Sequence, residues 1–240
     1  MRPRLVLATS ILFTAALLVG ACQPVGEIVT EDIVSEIPWP DRERAEYVLL
    51  DGGEEVGRGT LSVTRRGGEF ELRLSFSGQG ETDETVVIVD ATTLKPRSVR
   101  REISSEDKST AGEYDPVEEV VEFKEVDEDG NERVIPQRLE EHYYDNESSL
   151  FLWRTVPFEE GYAAKYYTVL VNQGTQRVVV LEVVGKEEVT VPAGTFDTWR
   201  VEMRSQGTTQ IAWYADTPER PLVQYNNSRR LFQLTAIDGG

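Results

Sequence analysis

Imidazole and thiol each occur once in these 240 residues, as His142 and Cys22. His142 lies in Glu140-Glu141-His142-Tyr143-Tyr144-Asp145, where neighbouring carboxylates could support a general base. If that segment is extended, Glu140, His142 and Tyr144 share one face and Glu141, Tyr143 and Asp145 the other. One histidine cannot make a histidine-rich metal site, and neither an H-E-x-x-H run nor paired cysteines occur. A hydrogen-bonded histidine on a polar strand explains the segment without catalysis, and that reading is preferred. Ser105-Glu106-Asp107-Lys108 has the S-x-x-K spacing, in which a helix holds the amine against the hydroxyl to raise its nucleophilicity. Here it sits in a polar stretch without companion K-T-G or S-D-N runs and reads as a turn. Asp127-Glu128-Asp129-Gly130-Asn131-Glu132 offers oxygen ligands that suit calcium. It lacks the twelfth-position glutamate of an EF-hand, and Asp-Gly between strand-like segments reads as a hairpin. No glycine-rich phosphate loop and no G-x-S-x-G elbow is present. The expectation is therefore no enzyme, no metal and no cofactor. A hydrolase using His142 or scattered carboxylates is the least favoured reading.

Binding asks for surface rather than reactivity. Tyr166, Trp199, Trp213 and Tyr214 are the candidate ligand-binding side chains. Aromatics lining a groove could hold an acyl chain or a sugar. Tyr143, Tyr144, Trp153, Tyr162 and Tyr167 offer similar flat surfaces, and ordinary core is the preferred reading for most of these aromatics, since aromatic residues favour strands anyway. Tyr166-Tyr167 and Trp213-Tyr214 are adjacent pairs, so each pair places one ring on each face of a strand, and one ring of each pair is expected to be exposed.

The elements that would carry these residues are strands. Residues 69–77 alternate without a fault, with Phe70, Leu72, Leu74 and Phe76 on one face and charge or hydroxyl on the other. Residues 198–204 repeat the pattern, with Trp199, Val201 and Met203 inward. Period-two alternation of this kind marks half-buried antiparallel strands. Further strands are expected at 47–50, 56–64, 85–89, 98–103, 117–126, 132–139, 162–171, 176–184, 187–191, 209–214, 222–225 and 231–237. Turn signals punctuate them at Asp51-Gly52-Gly53, Arg66-Gly67-Gly68, Asp129-Gly130-Asn131 and Pro192-Ala193-Gly194. Residues 104–112 read as loop, and only residues 146–154 read as helix. The fold class is all-β: a single antiparallel, strongly curved sheet forming an open or closed barrel, with at most one short helix.

The amino terminus gives the address. Arg2 and Arg4 precede an almost unbroken apolar run from Leu5 to Val19, then small Gly20 and Ala21, then Cys22. This is the order of a secretory signal with its cleavage site against a cysteine. Val19-Gly20-Ala21-Cys22 resembles the lipobox of bacterial lipoproteins. That resemblance implies cleavage before Cys22, a diacylglycerol on its sulfur and a further acyl chain such as palmitate on the new amino group. Two or three chains anchor stably where one would not. Residues 1–21 are thus the signal peptide, 22–40 the acylated cysteine with a flexible linker, and 41–240 the extracytoplasmic β domain. Gln23 is not the aspartate associated with inner-membrane retention, so the resemblance favours an outer membrane in a cell that has one. With one cysteine, no intramolecular disulfide forms, and an exported domain must rely on its core. The net charge is −18, and loss of Arg2 and Arg4 deepens it by two. Phosphates need basic partners, so nucleic acid is not expected, and anionic lipid head groups repel the surface.

One segment resembles a known but uncharacterised family of bacterial exported proteins, a domain of unknown function. It is Val189-Thr190-Val191-Pro192-Ala193-Gly194-Thr195-Phe196-Asp197-Thr198-Trp199-Arg200-Val201-Glu202, with the pattern V-x-V-P-A-G-x-F-x-T-x-x-V-E. Tyr47 with Glu55-Val56-Gly57-Arg58-Gly59, the Asp90 to Pro96 stretch and the Ser149 to Arg154 stretch are similar too. The resemblance implies an all-β exported domain and carries no catalytic residues. Within the segment, Pro192 cannot donate to a ladder and Gly194 permits a positive φ, which reads as a structural corner.

The functional expectation is a membrane-anchored, non-catalytic binding module for an amphiphile or envelope polymer such as a polysaccharide. The alternative is a scaffold that meets an envelope protein through its acidic face.

Overall fold

A computed structural model describes residues 28, 30–104, 108–126 and 132–239. The expectations for Cys22, for most of Ser105–Lys108 and for the acidic run 127–131 fall outside these residues.

The alternation seen in sequence becomes strand after strand. β1 (Arg42–Asp51), β2 (Glu54–Arg66), β3 (Glu69–Gly78), β4 (Glu81–Asp90), β5 (Pro96–Ile103), β6 (Lys108–Asp115), β7 (Val120–Val126) and β8 (Glu132–Arg138) form one wing. Each pairs antiparallel with the next. The second wing is β10 (Ala163–Leu170), β11 (Thr175–Val191), β12 (Gly194–Ser205), β13 (Thr208–Ala215), β14 (Leu222–Asn226) and β15 (Leu231–Gly239). β15 closes back onto β1. A three-residue β9 (Tyr143–Asp145) adds to the far edge of β10 in parallel. The sheet order among the described residues is therefore β8 through β1, then β15 down to β9. The expected antiparallel sheet is correct but for that one pair.

On β3, Phe70, Leu72 and Leu74 are buried while Glu69, Arg73 and Ser77 are exposed. Two-faced strands bend toward their apolar side as the sheet twists, and here the wings curl until their edges meet. No ladder joins the edges. Instead a 3-10 turn (Val171–Gln173) after β10 packs on β6, where a Cβ on Gly112 would stand 3.0 Å from a methyl of Val171. The barrel is thus open along one seam that side chains fill.

Residues 146–155 enter the barrel as a plug: 3-10 turns Asn146–Ser148 and Trp153–Thr155 around α1 (Ser149–Leu152). This matches the only helical expectation. Asp145 caps it, accepting from the Glu147 N–H at 2.8 Å. Leu150, Phe151, Leu152 and Trp153 are all buried. They complete a core that the sheet's concave face could not fill alone.

Four expectations need correction. Residues 104–112 contain the start of β6 rather than a loop. β6 carries only small and polar residues before Tyr114, because Gly112 must yield to Val171. Residues 176–184 and 187–191 are one continuous 17-residue strand, β11, with a bulge between Val183 and Gly185. Residues 140–145 are not one strand, because His142 adopts φ +58 and turns the chain into β9. Finally, residues 30–40 do not behave as a free linker. Ile33 and Trp39 are buried, the Ser35 and Glu36 N–H groups donate to the Thr155 carbonyl, and Thr30 bridges to Lys165. Trp39 packs edge-on to Phe70 at 5.9 Å and Phe151 at 6.3 Å, so this strap covers one end of the barrel.

Candidate binding cleft

The opposite end stays open. Its mouth is bordered by the β3–β4 and β14–β15 turns, and inside lies a cleft of 480 Å3. Leu49, Leu74, Phe76, Leu150 and Phe232 make one wall. Phe76 stands edge-on to Phe232 at 5.4 Å, and Tyr225 joins them from β14 at 5.3 Å. The glycines of β2 make this possible: a Cβ on Gly59 would lie 2.7 Å from the Phe76 ring. Trp153 of the plug forms the floor and tilts against Tyr225 at 6.3 Å.

The other wall is polar. Arg101 of β5 donates to both carboxylate oxygens of Asp83, at 2.9 and 2.6 Å, and to Glu147 at 3.2 Å. Asn146 also donates to Glu147. Burial pushes the Glu147 carboxyl up, and the neighbouring guanidinium opposes that shift. Directly behind it, Asp145 is fully buried and its carboxyl is pushed up to about 7, by burial first and by the Glu147 charge second. Tyr114 donates its phenol to Asp145, and burial holds that phenol well above its ordinary range. Arg230 and Asn227 complete the wall from the β14–β15 turn.

A side chamber of 200 Å3 lies on the other side of the plug's first turn. It shares Asn146, Ser149, Trp153 and Gln210 with the cleft. Tyr166 forms its base, accepting a 2.6 Å bond from the Trp153 indole.

Of the four aromatics expected to bind, Tyr166 alone lines either space. Tyr214 is fully buried and donates to the Leu150 carbonyl at 2.8 Å, which makes it core. Trp199 packs with it on Phe158 toward the strapped end, and its indole donates to Asp216. Trp213 points to the outer face, where it bonds Glu187 and is still 9% exposed only. The expectation that Trp213-Tyr214 exposes one ring fails, because flanking side chains cover the outer one.

His142 sits apart, in a shallow depression with Asp32, Glu119 and Tyr167. Its Nδ1 is 3.4 Å from Asp32. Asp32 is claimed by Lys95, whose ammonium also lies over the rings of Tyr143 and Tyr144 at 4.9 and 4.3 Å. Burial pushes the Lys95 amine down, and Asp32 opposes the shift. The described residues contain no group of three or more His, Cys, Asp or Glu placed to hold a metal ion. No helix among them is long and apolar enough to cross a membrane.

The cleft residues Asp83, Arg101 and Glu147 were not singled out in sequence. They come from β4, β5 and the plug, and spacing cannot show that such distant positions converge. One signal was available: a lone helical segment in an all-β chain must either cap the barrel or enter it.

One solved structure shares this architecture, and a family model matches most of the chain. A family model described as a protein of unknown function, DUF3108, matches residues 44–227. Among solved structures, a β-barrel-like protein of a domain of unknown function, DUF1849, from Brucella abortus is similar with a TM-score of 0.56. It is 11% identical, and the match covers 84% of this chain and 99% of that one. It shows the fold alone. A candidate exported protein with a YmcC-like fold from Bacteroides fragilis is 14% identical over 86% of this chain and 99% of its own, with a TM-score of 0.33. No curated protein matches the chain.

Proposed function

This chain belongs to that family of unknown function, and from its cleft we propose a non-catalytic binding module that holds an amphiphile outside the cytoplasm. The observation that carries the reading is the two-sided cleft. An apolar wall of Leu49, Leu74, Phe76 and Phe232 faces a polar wall of Asp83, Arg101 and Glu147. A concave site with one apolar wall and one wall of fixed polar groups suits a ligand with a tail and a head. Arg101 is held by two carboxylates, which fixes donors in place rather than freeing a nucleophile.

The tether in this reading is lipid on Cys22. The packed strap shortens it: from Cys22 to Thr30 the chain spans at most about 28 Å fully extended. The domain then works close to the bilayer surface, where amphiphiles are found.

Uptake of a fluorescent fatty acid by the full chain tests the binding role. Saturable uptake is expected, and Ile103→Trp, which enlarges a half-buried side chain of the cleft lining beside Asp83, should weaken it about tenfold. Absence of saturable uptake, or full uptake by Ile103→Trp, ends the proposal. Mass spectrometry of the native protein tests the anchor, which requires acyl chains on Cys22.

A further inference from the structure

Resting on that cleft reading, we infer that the side chamber recognises an anionic head group, a carboxylate or phosphate, through Arg177 and Thr168. These residues face each other across β10 and β11, Thr168 being the register partner of Arg177. Both line the chamber.

Three observations point to an anion. Thr168 is 4% exposed, and its hydroxyl has no hydrogen-bond partner. A buried hydroxyl left unpaired is costly, so the chamber must supply a polar atom to it. Arg177 is the sole charged residue of the chamber lining, and among the described residues it forms no ion pair. Its guanidinium donates to the Gln173 side chain and keeps further N–H groups free for a ligand. This is unusual in a chain of net charge −18, where most described arginines reach a carboxylate. Besides the Tyr166 phenol and the Trp153 indole, the rest of the polar lining is hydroxyls and amides from Asn146, Ser149, Ser205, Gln206, Thr208 and Gln210, with no acid. A second arginine supports the same polarity next door: Arg230 lines the cleft, and its buried Nε has no partner.

An acyl tail in this chamber would leave the Thr168 hydroxyl unpaired and the guanidinium desolvated. A cation would meet Arg177. An anionic head satisfies both, and its tail can lie along the apolar wall of the adjoining cleft.

The test uses the full chain carrying Cys22→Ser, which cannot be acylated, and titration calorimetry with four probes of equal tail length. Octyl phosphate and octanoate should bind. Octyl glucoside and octyltrimethylammonium should bind at least about tenfold more weakly, and added salt should narrow that gap. Arg177→Gln should weaken both anionic probes about tenfold and leave octyl glucoside unchanged. Thr168→Val should weaken the anionic probes about threefold while the melting temperature holds or rises, since an unpaired buried hydroxyl is removed. Inorganic phosphate separates the sources: binding without a tail assigns the chamber to a free anion, and tail-dependent binding assigns it to a lipid head. Equal binding of all four amphiphiles, tighter binding of the glucoside, or an unaffected Arg177→Gln overturns the inference while the cleft reading stands. No binding by any probe overturns both.

Discussion

Arg154 of the plug and Glu43 of β1 form a bidentate ion pair inside the barrel, with N–O distances of 2.6 and 2.7 Å and side chains 4% and 8% exposed. The same guanidinium donates to the Glu219 carbonyl at 2.8 Å and lies over the Trp39 ring at 5.4 Å. One residue thus ties the plug, β1, the strap and the β13–β14 turn together. Removing one partner leaves a buried charge uncompensated, which costs about 3–5 kcal/mol. Glu43→Gln or Arg154→Met should lower stability by that order in urea titration. Replacing both at once, as Glu43→Leu with Arg154→Met, should recover much of it. A double variant as unstable as the singles would show that the pair itself, not charge burial, holds the plug.

Asp145 makes stability depend on pH near neutrality. Its carboxyl rises from 3.8 to about 7 in the fold, so between about pH 4 and 7 the folded state binds a proton that the unfolded state has released. Stability therefore falls as pH rises through that window, by at most about 1.4 kcal/mol per pH unit, and levels off above it. Glu147 is shifted in the same direction and reinforces the trend. The expected result is a higher urea midpoint at pH 5 than at pH 8, with the difference reduced in Asp145→Asn. That variant keeps the cap to the Glu147 N–H but has no charge to bury. An unchanged pH slope in Asp145→Asn would rule the carboxyl out as its source.

Much of the barrel was legible because alternation speaks directly of a half-buried strand, as on β3 and β12. It failed where burial does not follow period two. β6 reads as loop because the seam requires Gly112 small against Val171. His142 reads as part of a strand because nothing in Glu-Glu-His-Tyr-Tyr announces a left-handed residue. The cleft was less legible still. Arg101 and Glu147 are 46 positions apart, and their meeting depends on how the plug enters the barrel. Tyr166 was found by its type, whereas Thr168 is marked by an unpaired hydroxyl and Arg177 by having no ion pair among the described residues, which only coordinates reveal.

Gly59 is where the resemblance segment of β2 becomes physical. It pairs with Phe76, and a Cβ there would sit 2.7 Å from that ring and 3.3 Å from Leu49. Gly59→Ala should push Phe76 into the cleft, lower stability by about 1–3 kcal/mol and reduce uptake of amphiphiles. Adding Phe76→Leu should restore stability, because the shorter side chain frees the space the new methyl needs. Thermal melts with fatty-acid titrations read both effects. Equal stability of Gly59→Ala and the parent would mean that the strands can separate to accommodate the methyl group.

Asp32 is the polar clasp of the strap. It meets Lys95, the Tyr144 hydroxyl at 3.3 Å and His142 Nδ1 at 3.4 Å. Burial pushes its carboxyl up, but the Lys95 and His142 contacts outweigh burial and leave it below 3.8. A depressed carboxyl stabilises the fold above its unfolded value and loses that contribution as pH falls below about 4. Asp32 is 55% exposed, so solvent screening limits the contribution to within about 1 kcal/mol. Trp39 and Ile33 supply the apolar part, and Trp39→Ala should cost about 3–5 kcal/mol. Hydrogen exchange separates the two. Asp32→Asn or Lys95→Ala should speed exchange at residues 31–36 while the barrel strands keep their protection, and His142→Ala should do less. Trp39→Ala should instead speed exchange across the barrel end that includes Phe70 and Phe151. If Asp32→Asn leaves residues 31–36 fully protected, apolar burial alone holds the strap and the clasp contributes nothing.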